Sequence, residues 1–152
     1  MPNITLAKTT DAPDILTLQK LAFAIEAERY NKPDIPPLVE SLADLLPLFE
    51  SRIIYKLEID GRILGAVNIK IEDITGHIGR LIVHPYNQNQ GFGKQLMAHV
   101  EKEHANLARF ELFTGYRSHK NISFYQQQKY TIFKTIMLED DFGFVYMEKI
   151  NQ

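Results

Sequence analysis

Residues 78–97 read IGRLIVHPYNQNQGFGKQLM, and the fold turns on them. Ile78, Leu81, Ile82 and Val83 form an apolar, β-branched run that ends at His84-Pro85, and Lys94-Gln95-Leu96-Met97 opens a helix. Between the two lies Gln88-Asn89-Gln90-Gly91-Phe92-Gly93. A pair of glycines lets the backbone curl tightly and brings consecutive N–H groups close to a ligand. The helix behind them aims its positive dipole end and its unpaired N–H groups at the same place. Such an arrangement captures phosphate oxygens without a charged side chain, so the expected ligand carries phosphate.

Upstream, residues 4–8 alternate apolar and polar side chains as a strand does. Thr10, Asp11, Pro13 and Asp14 supply a cap, a first-turn proline and an acid for a helix over 15–29, where Ile15, Leu18, Leu21, Ala22 and Ile25 recur at helical spacing. The proline-rich segment 31–37 breaks that helix, and a second is expected over 38–49, interrupted near Pro47. Strands over 52–59 and 62–71 flank Asp60-Gly61, a strong hairpin signal. Glu72-Asp73-Ile74-Thr75-Gly76 then leads into the strand ending at His84.

Downstream, the helix after the glycine turn runs to about Asn106 with Leu96, Met97, Val100 and Leu107 on its buried side. A strand over 110–114 and a short helix over 119–128 follow, and strands over 131–138 and 142–150 close a hairpin across Glu139-Asp140-Asp141. The strand before the glycine turn and the strand after its helix should be parallel neighbours joined by a right-handed crossover. The ligand then belongs at their C-terminal ends, in a mixed α/β sheet.

A chain of 152 residues suits one domain over 1–152 with a substantial core. With 45% apolar and 24% charged residues it is an ordinary globular composition, which argues against disordered and fibrous classes. A net charge of −2 and no local Lys/Arg cluster give no footprint for nucleic acid. The absence of cysteine removes disulfides, a thiol nucleophile and thiolate metal sites, and fits a reducing cytoplasm. Met1-Pro2-Asn3-Ile4-Thr5 has neither a basic nor an apolar leader region, and no apolar run approaches the roughly 20 residues that span a bilayer. A cytoplasmic protein without membrane contact is expected.

Two familiar phosphate loops do not fit the turn. The Walker pattern needs Gly-x4-Gly-Lys-Ser/Thr, but Gly93-Lys94 is followed by Gln95 and position 88 is not glycine. A dinucleotide fingerprint needs a third small residue where Leu96 stands. What does match is Gln88-x-x-Gly91-x-Gly93 after Leu81-Ile82-Val83, which resembles the acetyl-CoA signature, Gln/Arg-x-x-Gly-x-Gly/Ala, of the GNAT superfamily of N-acetyltransferases. Asn121-Ile122-Ser123-Phe124-Tyr125, followed by Lys129-Tyr130, is similar to the family's second motif, an Asn-x-x-x-Tyr helix start before an aromatic strand. The order of elements also resembles that of the family, so the likeness covers nearly the whole chain, with its specific motifs in residues 77–130. Two positions depart: Gln90 replaces a frequent basic residue, and Lys129 replaces a frequent glycine, which calls for an unusual backbone angle or a shifted turn there.

The resemblance implies an α/β (α+β) fold. Its mixed, mostly antiparallel sheet would have a central splayed pair of parallel strands and flanking helices. It implies that Gln88, Asn89, Gln90, Gly91, Phe92, Gly93 and Lys94 wrap the pyrophosphate of acetyl-CoA. Main-chain groups of Leu81, Ile82 and Val83 would meet the pantetheine arm and the acetyl carbonyl, with Asn121 and Phe124 on the other side. Tyr125 becomes the expected general acid, because a phenol stays protonated at neutral pH and can give its proton to the departing thiolate. His77 occupies the strand position where some members carry a catalytic glutamate, and an imidazole titrates near working pH. Glu72, Glu26 and Glu28 are rival bases, and ordered water is a further alternative.

The expected reaction is transfer of acetyl from acetyl-CoA to a primary amine by direct attack in a ternary complex. Without cysteine, a cysteinyl intermediate is ruled out. The acceptor, a small molecule or a peptide amine, belongs between the first helices and the hairpin around Asp140, where Glu26, Glu28, Glu72, Asp140 and Asp141 would draw a cation. The alternatives are a non-catalytic acyl-CoA-binding or regulatory module and an α/β protein for another phosphate ligand. No metal is expected: seven positions separate His77 from His84, which places them on opposite strand faces, and five separate His99 from His104, off the helical spacing. Apart from His77, the candidate base, they read as surface histidines. An exposed strand at the end of the sheet would offer an edge for a homodimer, common in the superfamily.

Overall fold

A computed structural model describes residues 2–30 and 35–151, with 25, 26, 29 and 30 as backbone only. Strand β1 (Asn3–Leu6) leads through a 3-10 turn into helix α1 (Ala12–Tyr30). Three short helices follow, α2 (Pro36–Val39), α3 (Leu42–Leu45) and α4 (Leu48–Ser51). Then come β2 (Ile53–Ile59), β3 (Arg62–Glu72), β4 (Thr75–Val83), α5 (Phe92–Glu103), β5 (Arg109–Gly115), α6 (His119–Gln127), β6 (Thr131–Glu139) and β7 (Phe142–Ile150). The seven strands form one sheet in the order β1-β2-β3-β4-β5-β7-β6. Every pairing is antiparallel except β4 with β5. This is the expected α/β architecture.

Local chemistry explains the boundaries. Asp60 and Gly61 both take positive φ (52° and 79°), as a two-residue hairpin of this sense requires. Residues 38–49, expected as one interrupted helix, instead form separate single turns. Glu40 adopts an extended backbone (ψ 136°) that ends α2. Ser41 then restarts the chain with a reciprocal cap: its hydroxyl accepts from the Asp44 N–H at 3.2 Å, and Asp44 accepts from the Ser41 N–H at 2.9 Å. The first strand is shorter than 4–8, because the Lys8 N–H turns to the Asp11 carboxylate at 2.8 Å and starts the 3-10 turn.

The main core lies between the sheet and α5. Leu96, Met97 and Val100 are fully buried against Leu57, Val67, Ile69, Phe110 and Met147, and Leu107 joins them beyond the helix end. The opposite sheet face is covered by α1, through Ile15 and Leu18 against Ile54, Ala66 and Ile82. The outermost strand, β6, is exposed along its whole length, with Ile132, Phe133, Ile136, Met137 and Leu138 all open.

Two expectations about histidines are corrected. The helix stops at Glu103, so His104 leaves the helical path (φ −121°) and is turned inward, with Nε2 2.9 Å from the Tyr55 hydroxyl. His99 packs edge-on to the same Tyr55 ring, at 5.0 Å. Helical spacing does not govern a pair whose second member lies past the helix end, and His104 is buried rather than a surface residue. The parity argument for His77 and His84 fails too, because a bulge interrupts β4 between them and His84 lies outside the strand.

Candidate active site

Two departures from regular pairing open the site. β4 and β5 pair only at Thr75↔Arg109, Gly76↔Phe110 and His77↔Glu111. Beyond that point β5 stays with β7, while β4 stays with β3, so a gap widens between them. The second departure is a bulge: Asn68 pairs with Gly79 but Ala66 pairs with Ile82, two steps on β3 against three on β4. Arg80 absorbs the extra residue in the left-handed region, at φ 49°.

The bulge also reverses which side chains face which helix. Ile78 packs in the core under α5, and strict alternation would send Arg80 and Ile82 the same way. Instead Leu81 and Val83 pack on that side, while Ile82 meets Leu18 and Ala66 under α1. Arg80 reaches Glu40 after α2 and, at 3.4 Å, Gln19 of α1. Gln19 in turn donates to the Pro37 carbonyl at 3.0 Å and to Glu40 at 3.1 Å, a polar tie between α1, the α2 segment and β4.

Leu81 and Val83 form the floor of a cleft of about 520 Å³, and the glycine turn forms its rim. Asn89 (φ 63°) and Gly91 (φ 82°) both take left-handed backbone angles. Left-handed angles of this kind let a turn present its N–H groups together, here next to the first N–H groups of α5. Gly91 needs glycine for its angle, since a Cβ there would meet nothing within 4 Å. Gly93 needs it for space, because a Cβ would lie 3.3 Å from the Phe124 ring on α6.

Of the expected ligand-binding residues, Leu81, Val83, Gln88, Asn89, Gly91, Phe92, Gly93, Lys94, Asn121 and Phe124 line this cleft together. Ile82 and Gln90 do not: the Ile82 side chain faces α1, and Gln90 points outward from the loop, exposed. Ala22, Asn87, Lys120, Gln127 and Gln128 complete the lining and were not anticipated. Three of these were legible, since Lys120, Gln127 and Gln128 stand four or fewer residues from Phe124 on one helical stripe. Ala22 arrives through tertiary packing of α1.

Tyr125 follows Asn121 by one helical turn and packs half-buried against the main core, its ring edge-on to Phe124 at 5.2 Å. It does not itself line the cleft. Lys129 takes φ 77°, the unusual angle its position calls for. Tyr130 is buried beside it and donates to Glu101 at 3.0 Å, and burial raises its phenol well above the ordinary range. His77 sits on the opposite side of the sheet, with Nδ1 3.7 Å from Glu111 and Nε2 4.0 Å from Glu72. Glu28 is exposed on α1, and the side chain of Glu26 lies outside the described residues. Asp141, in the β6–β7 turn, accepts from the Tyr116 hydroxyl at 3.2 Å.

Known proteins share this fold. The protein model for the acetyltransferase (GNAT) domain matches residues 50–132, which include the bulge, the glycine turn and α6. The ribosomal-protein-S18-alanine N-acetyltransferase of Escherichia coli superposes with a TM-score of 0.83 at 16% identity, covering 100% of this chain and 95% of its own. PaiA N-acetyltransferase of Thermoplasma acidophilum, solved in complex with coenzyme A, gives 0.82 at 16% identity, covering 99% of both chains. In sequence, the chain is 26% identical over 129 residues to the UPF0157 protein YqkA of Bacillus subtilis (strain 168). That match takes in 85% of this chain and spans only 37% of YqkA's length. With motif, splayed strands and fold in agreement, the chain belongs to the GNAT acetyltransferase family.

Proposed function

We propose that the protein is an N-acetyltransferase that moves acetyl from acetyl-CoA to a primary amine by direct attack in a ternary complex. The observation that carries this reading is the gap between β4 and β5, which opens beside the glycine turn. Acetyl-CoA supplies the activated thioester and its thiolate leaving group. The residues present fit it: the loop from Gln88 to Lys94 offers converging N–H groups for a pyrophosphate, and the cleft narrows between Gly93 and Phe124.

Main-chain groups of Leu81 and Val83 on the β5 side have no strand partner, so they are available to the pantetheine amides and to the acetyl oxygen, whereas those of Ile82 face Ala66 of β3. An N–H fixed in that strand is a preorganised donor for developing negative charge. Tyr125 gives its hydroxyl proton to the leaving sulfur, and His77 or a water takes the proton from the attacking amine. The chain contains no cysteine, so no thiol of its own competes as nucleophile.

Thermal-shift titration with acetyl-CoA, CoA, ATP and NAD tests the ligand. Stabilisation by the first two alone is expected, and stabilisation by ATP or NAD instead would overturn it. Thiol release from acetyl-CoA in an amine screen tests the reaction. Binding of acetyl-CoA with no release across peptides, polyamines, amino acids and antibiotics would make the protein an acyl-CoA-binding module instead.

A further inference from the structure

The face of β4 turned away from the cofactor cleft carries a cation that the proposed reaction does not yet use. Arg52, just before β2, lays its guanidinium across β3: Nη1 donates to Asn68 Oδ1 at 2.8 Å and to the His77 carbonyl at 3.4 Å. This places it at Gly79, where an added Cβ would lie 3.4 Å from Nη1. Gly79 is two residues past the last β4–β5 pair, at the start of the gap.

The neighbouring cations are matched. Arg80 pairs with Glu40, Arg109 with Glu111 and Glu148, and Lys70 with Glu72. Among the described residues, no carboxylate comes within 4.0 Å of Arg52, and its Nε and Nη2 have no protein acceptor. Burial and the nearby Arg80 charge both lower its basicity, against a partial opposing pull from Glu72. A half-buried guanidinium whose second edge meets no acceptor among the described residues is matched in charge and shape by a carboxylate or phosphate.

Of the acids expected to attract a cationic amine, Glu72 pairs with Lys70 and lies 4.0 Å from His77, and Asp141 accepts from Tyr116. Resting on the acetyltransferase reading, the geometry points to Arg52 as the residue that holds an oxyanion, carboxylate or phosphate, carried by the acceptor amine. The acceptors are therefore zwitterionic amines and not polyamines. Arg52 fixes such an acceptor beside the gap, with its amino group free to approach the thioester from the side opposite the cofactor loop.

The experiment measures thiol release with matched acceptor pairs: α-amino acids against their amides, and aminoalkylphosphonates against their neutral esters. The anionic member should be favoured in kcat/KM by about tenfold or more, the range of a charge-assisted hydrogen bond pair. Whichever series shows the preference identifies the oxyanion. Arg52→Gln should raise KM for the anionic member and bring the ratio toward one, with the KM for acetyl-CoA unchanged, and Arg52→Lys should restore part of the ratio. Equal loss for both members of a pair would mean a merely structural role and would overturn the inference. So would a wild-type protein that prefers amines without an oxyanion, and this result stands even if Arg52→Gln fails to fold. Release with no amine at all would instead overturn the transferase reading on which the inference rests.

Discussion

On one side of β4, Leu81 and Val83 face a cleft whose remaining walls are glycines, main-chain N–H groups and one stripe of α6. On the other side, Arg80, Ile82 and Gly79 meet side chains from α1, from the segment after α2, and from Arg52 and β3. The proposed donor side is thus built largely from backbone and the proposed acceptor side from side chains. Backbone recognition depends on chain path more than on residue identity, so it tolerates sequence change around a constant ligand. Side-chain recognition can vary from one chain to another without disturbing the path. The bulge at Arg80 joins the two, because one extra residue beside the gap reverses the alternation.

Substitutions break this division at different points. The largest effect is expected for Tyr125→Phe, which keeps the packing against Phe124 but removes the transferable proton. Turnover should fall by about 100-fold, the lower range for general acid catalysis, while acetyl-CoA affinity by calorimetry holds. Unchanged turnover would remove Tyr125 from the mechanism. Arg80→Ala comes next. It removes the charged partner of a largely buried Glu40, which keeps the Gln19 amide, and should lower stability in urea melts by about 2 kcal/mol. Arg80→Gly should lose about 1 kcal/mol less, since glycine accepts the φ of 49° that a side chain resists. Equal losses would deny that the bulge is strained.

On the donor side, Gly91→Val forces a β-branched residue to φ 82° and should weaken acetyl-CoA binding by about tenfold, with little change for the amine. The smallest effect concerns a pair remote from both sides. Burial lowers the pKa of His104 below its free value of about 6.5, so the folded protein favours the neutral ring. The unfolded chain then takes up the proton first, and the contribution to stability is present above that value and lost as pH falls below it. Melting points between pH 7.5 and 5 should decline for the native chain and decline less for His104→Gln, and parallel slopes would deny the linkage.

How much of this could be read beforehand follows the same division. Gly91 and Gly93 at fixed spacing marked the cofactor turn, and Asp60-Gly61 marked the hairpin, because local backbone demands leave a residue signature. Lys129 shows the converse: its position implied an unusual angle or a shifted turn, and a φ of 77° is what it adopts. The single helix expected over 38–49 dissolved into three turns because Glu40 and the Ser41–Asp44 cap outweigh apolar periodicity over so short a span. His104 was misread because its environment depends on where α5 ends and on Tyr55, 49 residues away.

By itself, the sequence determined the order of elements, the glycine turn and the family resemblance, since each is encoded in residues close together along the chain. Only the tertiary structure decided where β4 bulges, that Leu81 and Val83 turn toward the cleft while Ile82 turns away, and that no carboxylate among the described residues pairs with Arg52 at the mouth of the gap. A strand's alternation can be written into its own residues, but the point at which it reverses is set by pairing with β3 and by the polar ties of Arg80 to distant segments.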